Sequence, residues 1–286
     1  MLDPRSVMVA VDVNDTKYVR NDSIIGYVHT SFAPSKDGKS LDQTAGQICF
    51  LCVDPLYPDA AGAASALIAA AENYLSTKGT QKIFGGSPSP SAPFYTGFYS
   101  GGEAVGILQS DSIIIDAFLR SGYHVHQKTG WFQRDLREDT HETTFNTTVF
   151  YGKFETEIRE IPGAKTWWEG CTFLNGIWFD AMTYLAQTDR PIARLRTRIT
   201  VPNANNILSM YGATWLASLM ELRVHPDFAK VGVQRYVLDQ LIRYLTSYNQ
   251  IVQVDAHVAE DSPLFTLLRN LSWTERDSGW VFVKEL

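Results

Sequence analysis

One short stretch of the chain leaves the start of a helix bare of side chains. In "VDPLYPDAAGAASALIAAAENYL", residues 53–75, an apolar run from Ile48 to Val53 ends at Pro55, and Gly62 then sits among Ala60, Ala61, Ala63 and Ala64. The first N–H groups of a helix have no internal partner and carry partial positive charge, so an uncovered helix start can hold an anion. A helix packed closely on its neighbour would also want alanine, and composition alone leaves both readings open. A second stretch, Ala229-Lys230-Val231-Gly232-Val233-Gln234, follows Val224-His225-Pro226 and keeps a central glycine beside a cation.

Other reactive groups say less. Cys49 and Cys52 have the spacing of a metal pair but lie in an apolar strand with no second pair, so they read as buried thiols and no metal site is expected. With Cys171 they make three cysteines, too few for a disulfide framework. His29 and His225 read as hydrogen-bonded structural residues. The aromatic groups Phe94-Tyr95, Phe98-Tyr99, Trp167-Trp168, Trp178 and Trp215 suit either a pocket lining or an interface.

The elements that must position these residues fall into two similar series. The first runs through strands at "SVMVAVDV" and "IIGYVHTSF", a loop "APSKDGKSLDQTAG", a buried strand "QICFLCV" and a helix from about Gly62 to Lys78. It continues with "KIFGG", a loop-rich segment, the short helix "DSIIIDAFLRSG" and the strand "YHVHQKTGWFQRDL". After a polar linker at 137–146 the order recurs, with a hairpin from "IWFDAMTYLAQ" and "PIARLRTRITV" and a buried strand "ATWLASLMELRV". There follow an amphipathic helix "VGVQRYVLDQLIRYLTSY", the strand "QIVQVDAHV", a short helix and a final strand "WVFVKEL". Val53-Asp54-Pro55 matches Val224-His225-Pro226 at an offset of 171, Gly62 matches Gly232 at 170, and Asp111 matches Asp261 at 150. Offsets that shrink along the chain read as one unit duplicated, with loop length lost in the second copy.

Composition is that of a folded protein: 286 residues, 45% hydrophobic and 20% charged. A net charge of −6 argues against a nucleic-acid partner. The longest apolar stretch, Ala60 to Ala71, is far shorter than the roughly 20 residues a membrane span needs. The first residues lack a basic region followed by an apolar core, so no signal peptide is expected and the chain reads as cytoplasmic.

A strand ending in V-x-P, a turn of the type Q/R-x-x-G-x-G/A and a helix resemble the GNAT acyltransferase superfamily, as does the later short helix ending near Gly122-Tyr123. The resemblance covers both halves and is to a tandem-GNAT protein; "FYTGFYSGGEAVGILQSD" and Trp167-Trp168 are similar to bacterial members. It implies an α/β (α+β) fold of two GNAT-like units, residues 1–138 and 145–286. Each unit would be a mixed, mostly antiparallel sheet flanked by helices, with parallel strands splayed where a coenzyme enters.

The implied function is transfer of an acyl group, expected to be acetyl, from acyl-coenzyme A to an amine on a small molecule or peptide. The rival is a non-catalytic acyl-CoA-binding or regulatory protein. The resemblance places the coenzyme on Cys52, Val53, Asp59, Ala60, Ala61, Gly62, Ala63 and Ala64 in the first copy. In the second it places it on Val224, Lys230, Val231, Gly232 and Val233. Asp59 departs from the usual Gln or Arg and would repel a pyrophosphate unless it points away; Ala229 and Gln234 are departures in the second copy. The first copy has the better steric fit and is preferred as the coenzyme site. Glu221, three residues before Val224, is the implied general base. The family's tyrosine acid falls on Phe118 and Leu268, which cannot donate a proton; Tyr95, Tyr99 or Tyr123 would substitute. Asp111 and Asp261 read as helix N-caps.

Overall fold

The structure, a computed structural model, describes residues 3–12, 23–35, 40–86, 106–137, 150, 152–163, 176–200 and 215–286. The chain forms two compact units, Met1–Gly130 with Asp277–Leu286, and Trp131–Arg276. These are not the two sequence halves cut at 138–145. The end of the chain belongs with the first unit, and the second begins inside a strand.

In the first unit, strands β1 (Val7–Asp12), β2 (Ser23–Pro34) and β3 (Leu41–Val53) form an antiparallel series. Strand β4 (Lys82–Gly85) runs parallel to β3, from Ala45 opposite Lys82 to Ile48 opposite Gly85. The other edge of β4 carries N–H and C=O groups that also need partners. These come from β12 (Thr274–Glu285), the last strand of the chain, with Phe282 opposite Gly85. The two-residue strand β5 (Ile107–Leu108) also pairs with β12. Val281, Phe282 and Val283 are all buried, so β12 is covered on both faces, as apolar residues at both parities require.

Helix α1 (Ala60–Thr77) lays Ala60, Ala63, Ala64, Leu67, Ile68, Ala71 and Leu75 into the core of this unit. Its alanines are therefore packing residues. The approach is close: a Cβ on Gly26 would stand 3.1 Å from Leu67 Cδ1 and 2.6 Å from the Cys52 carbonyl. Helix α2 (Ser112–Arg120) packs with α1, and β6 (His124–Asp135) passes from this unit into the next. Two expectations shift. Strand β3 starts at Leu41, inside a stretch read as loop, because β2 continues to pair with it as far as Pro34 opposite Leu41. Helix α1 starts at Ala60, two residues early, because Asp59 caps it.

The second unit repeats the plan. Strands β7 (Phe154–Glu160), β8 (Ile177–Leu185), β9 (Pro191–Thr200) and β10 (Trp215–Val224) are antiparallel neighbours in that order. Strand β11 (Ile251–Ala259) runs parallel to β10, and Leu136, just past β6, donates its N–H to the Val252 carbonyl at 2.9 Å. Helices α3 (Val233–Thr246) and α4 (Pro263–Asn270) cover one face, on which Ala193, Leu195 and Ile199 of β9 lie with Val254, Ala256 and Val258 of β11. Alternation sends Arg194, Arg196 and Arg198 to the other face, together with Asp255 and His257. The fold is mixed α/β, each sheet mostly antiparallel with one parallel pair.

Candidate functional site

Each unit opens its sheet at a corresponding place. On β3 the register with β2 shifts between His29–Phe50 and Thr30–Ile48, so Cys49 is an extra residue, and β3 leaves β4 after Ile48–Gly85. On β10 the register with β9 shifts between Leu219–Thr197 and Glu221–Arg196, so Met220 is the extra residue, and β10 leaves β11 after Leu219–Ala256. A bulge re-aims the residues beyond it. Leu51 and Val53 face the core after Cys49, as Leu222 and Val224 do after Met220. Cys49 is buried, and Cys52 is exposed, contrary to the expectation of two buried thiols.

The two helix starts differ. At α1 the Asp59 side chain folds back and its Oδ1 accepts the Gly62 N–H at 3.0 Å. A Cβ on Gly62 would lie 2.2 Å from Asp59 Oδ2, so the glycine makes room for the helix's own carboxylate. The polar space at this start is taken by an internal anion, with Ala60, Ala63 and Ala64 buried against the core. At α3 the N-cap is Gly232 with φ +83° and no side-chain cap bond. Val233 is buried beneath it, and Lys230 and Val231 are exposed beside it. The helix start without a side-chain cap bond is the second. Gly62 and Gly232 also do not correspond: one lies in the first turn of its helix, the other at the cap.

Glu221 lies on β10 just past the bulge, held between two guanidinium groups. Arg194 Nη2 donates to Oε2, and Arg223 Nε donates to Oε1 at 2.5 Å. Beside it Arg196 makes a two-bond pair with Asp180, at 2.8 and 2.9 Å. His225 Nδ1 accepts the Asp227 N–H at 3.3 Å, capping the short turn Pro226–Phe228, and the Arg190 guanidinium stands 3.0 Å from its Nε2. Tyr95 and Tyr99 lie outside the described residues.

Phe118 and Leu268 are fully buried, and Phe118 stacks on Phe282 with centroids 5.3 Å apart. Tyr123 meets the edge of Phe118 at 4.9 Å, and burial, with Glu72 nearby, pushes its phenol above the ordinary tyrosine range. It is a core residue. Asp111 stands at the N-cap of α2 without a side-chain cap bond, and Ser262 rather than Asp261 caps α4, its Oγ accepting the Leu264 N–H at 3.2 Å.

Sequence reasoning missed a polar row on the face of the second unit away from α3. Trp178, Arg198, Ser218 and Asp255 stand opposite one another on β8, β9, β10 and β11. The Arg198 guanidinium lies over the Trp178 ring at 5.9 Å. Two residues beyond Asp255, His257 stacks on Trp131 at 5.2 Å. Burial pushes the Asp255 carboxyl up to about 6, against weaker opposing effects from Ser218 and Arg198, and pushes His257 down to about 3. The signal was in "QIVQVDAHV", where a carboxylate and an imidazole share one parity of a buried strand.

Among the described residues no cluster of three His, Cys, Asp or Glu could hold a metal ion, and no helix is long and apolar enough to cross a membrane. No family model and no curated protein matches the sequence. Solved structures do match. A tandem GNAT protein from the clavulanic acid biosynthesis pathway aligns with a TM-score of 0.62 at 12% identity, covering 93% of this chain and 80% of that one. A GCN5-related N-acetyltransferase from Sphaerobacter thermophilus aligns with a TM-score of 0.60 at 10% identity, covering 98% and 81%. A GCN5-related glucosamine N-acetyltransferase region of a fungal multi-domain beta-N-acetylglucosaminidase gives 0.59 at 15% identity, covering 92% of this chain and 32% of that one. The fold is that of the GNAT N-acetyltransferases, in its tandem form.

Proposed function

We propose that the chain is an N-acyltransferase that moves an acyl group, acetyl in the first instance, from acyl-coenzyme A to the amine of a small molecule or peptide. The observation that carries this reading is in the second unit. There the opening of β10 from β11 after Leu219–Ala256 is paired in one strand–turn–helix unit with a helix start at Gly232 that has no side-chain cap bond. A pyrophosphate would sit on the first N–H groups of α3, with Lys230 and Val231 at its side and Val224 and Val233 supporting the turn. Acyl-coenzyme A, once bound, would supply an acyl thioester open to direct attack by an unprotonated amine.

The first-copy residues Cys52, Val53 and Asp59 to Ala64 make a weaker coenzyme site, because Asp59 already occupies its helix start. Glu221 is a candidate base, and Tyr95 and Tyr99 are candidates for returning a proton to the departing thiolate. A cytoplasmic setting, with neither membrane nor nucleic acid as partner, fits this reading.

One observation favours a second reading, a non-catalytic acyl-CoA-binding protein: the positions that carry the acid in related proteins are the buried Phe118 and Leu268. Native mass spectrometry of the purified protein, scored for coenzyme A and its stoichiometry, tests the shared part of both readings. Thiol release in the presence of amines separates them. A protein with no affinity for coenzyme A would overturn both.

A further inference from the structure

We propose that Asp255 and His257 form a subsite of the second unit that receives a protonated primary amine and takes its proton before acyl transfer. The proton-transfer role rests on the acyltransfer reading; the recognition of an ammonium group does not.

The placement is the first argument. Residues two apart on a strand share a face. Asp255 stands one residue before the last pair of β10 with β11, and His257 one residue after it. The two groups therefore flank the point where the sheet opens. Only 3% of Asp255 and 7% of His257 is exposed.

The second argument is what they lack. Among the described residues neither Asp255 Oδ1 nor His257 Nδ1 has a hydrogen-bond partner. Asp255 Oδ2 and His257 Nε2 are 3.9 Å apart, too far for a hydrogen bond. Buried carboxylates are ordinarily paired, because desolvating the charge is costly. Ser218 and Arg198 act on the Asp255 carboxyl, but its Oδ1 stays open beside an unpaired imidazole nitrogen, which suits a ligand with several N–H donors and a positive charge.

The third argument is an internal comparison. In the first unit the row of Arg198, Ser218 and Asp255 is replaced by Ser31, Gln47 and Phe84 at the same register. The fold tolerates an apolar ring at this place, so the carboxylate is not a requirement of the architecture.

The groups facing Asp255 are Ser218 on β10, Arg198 on β9 and His257 on β11, with Trp131 of β6 behind the imidazole. Burial outweighs the attraction of Arg198, and at neutral pH it leaves an ionised carboxylate beside a neutral imidazole. An ammonium R–NH3+ gives one proton to Asp255 and becomes R–NH2. Its nitrogen forms the C–N bond to the thioester carbonyl as the C–S bond breaks. The second N–H proton passes to the thiolate, directly or through water, and Asp255 returns its proton to solvent.

The test is calorimetric titration of the full chain at pH 7.5 with n-butylammonium, phenethylammonium and spermidine, with coenzyme A titrated separately. Wild type should bind at least one amine. Asp255→Asn should weaken that binding tenfold or more and His257→Gln less, with coenzyme A affinity unchanged within twofold. Equal amine affinity in Asp255→Asn, or no amine binding by wild type, overturns the proposal whether or not coenzyme A binds. Amine binding that depends on Asp255 in a protein without affinity for coenzyme A upholds the subsite and removes the acyltransfer reading. Should Asp255→Asn fail to fold, the carboxyl 13C resonance of Asp255 in wild type decides the matter. Its titration midpoint should fall when amine is added, and an unmoved midpoint overturns the proposal.

Discussion

The Gly62 backbone N–H donates to Asp59 Oδ1 across 3.0 Å, so helix α1 supplies the anion for its own positive end. Losing an N-cap side chain costs about 0.5–2 kcal/mol, whereas glycine at that position costs only a few tenths. Asp59→Ala should therefore lower the unfolding free energy by about 1 kcal/mol, and Asp59→Gly by clearly less. Urea denaturation of the three proteins measures both values. Equal losses would mean that the carboxylate stabilises the unit through something other than the cap.

Helix α3 makes the opposite choice, and its cap residue is the sensitive one. Gly232 holds φ at +83°, and a Cβ there would meet Phe150 Cζ at 3.3 Å. A β-branched residue in that conformation carries about 1–2 kcal/mol of strain, while asparagine tolerates it. Gly232→Val should weaken coenzyme A tenfold or more, and Gly232→Asn should keep the fold with a smaller loss of affinity. Asp59→Ala should leave the affinity unchanged. If Asp59→Ala and Gly232→Val exchanged these effects, the coenzyme would belong to the first unit.

Glu221 is engaged by Arg194 and Arg223 on its two carboxylate oxygens, so an amine that reached it would have to displace a guanidinium group. Removing a working general base costs a factor of about 10²–10⁴ in rate. Glu221→Gln should lower kcat by less than tenfold, with an unchanged pH profile for the reaction. A loss of a hundredfold with a flattened acidic limb would restore Glu221 as the base.

Much of the fold was legible in the sequence because it is local. The offset of 171 between Val53 and Val224 reappears as two bulges, at Cys49 and Met220, each followed by a parallel strand that separates from its neighbour. Periodicity and V-x-P spacing carry that information. The direction of the Asp59 side chain was not legible, since a cap and an outward rotamer share one sequence. Nor was the identity of the strand beside β4. The edge of β4 needs a partner of the right parity, but "WVFVKEL" is 198 positions from Lys82, and no local rule connects them. Asp255 escaped notice for a related reason: its significance comes from Ser218 and Arg198 opposite it, which only pairing reveals.

That long-range pairing makes a prediction about fragments. Residues 1–140 contain β1 to β6 but lack β12, the antiparallel partner of β4 and the source of Phe282 in the core of the first unit. Deleting a buried phenylalanine side chain alone costs about 3–5 kcal/mol. Expressed by itself, 1–140 should be aggregated or unfolded. Adding a peptide of residues 274–286 should restore protected amides in β4, read by hydrogen exchange at Ile83 and Phe84. A well-folded fragment 1–140 that ignores the peptide would remove the structural role assigned to the last strand.

The last prediction concerns pH, where Asp255 and His257 pull in opposite directions. Asp255 is raised from 3.8 to about 6, so between those values the folded state binds its proton more tightly than the unfolded state does. Its contribution to stability is greatest below about pH 4 and is lost as pH rises through 6. His257 is depressed from 6.5 to about 3, so the unfolded state takes up its proton first. That contribution is fully present above about pH 6.5 and is lost as pH falls toward 3. Between pH 4 and 6 the two slopes oppose, and wild-type stability should be nearly flat with respect to this pair. Asp255→Asn removes one slope. The stability of that variant relative to wild type should rise by about 1.4 kcal/mol per pH unit across the window, reaching about 2–3 kcal/mol by pH 7. Any constant cost of the asparagine cancels from this slope, because it does not titrate. His257→Gln should show the reverse, losing stability relative to wild type as pH rises from 3 to 6.5. Urea midpoints at half-unit intervals for the three proteins give both differences, and parallel curves for wild type and Asp255→Asn would mean that this carboxyl is not held in its buried state.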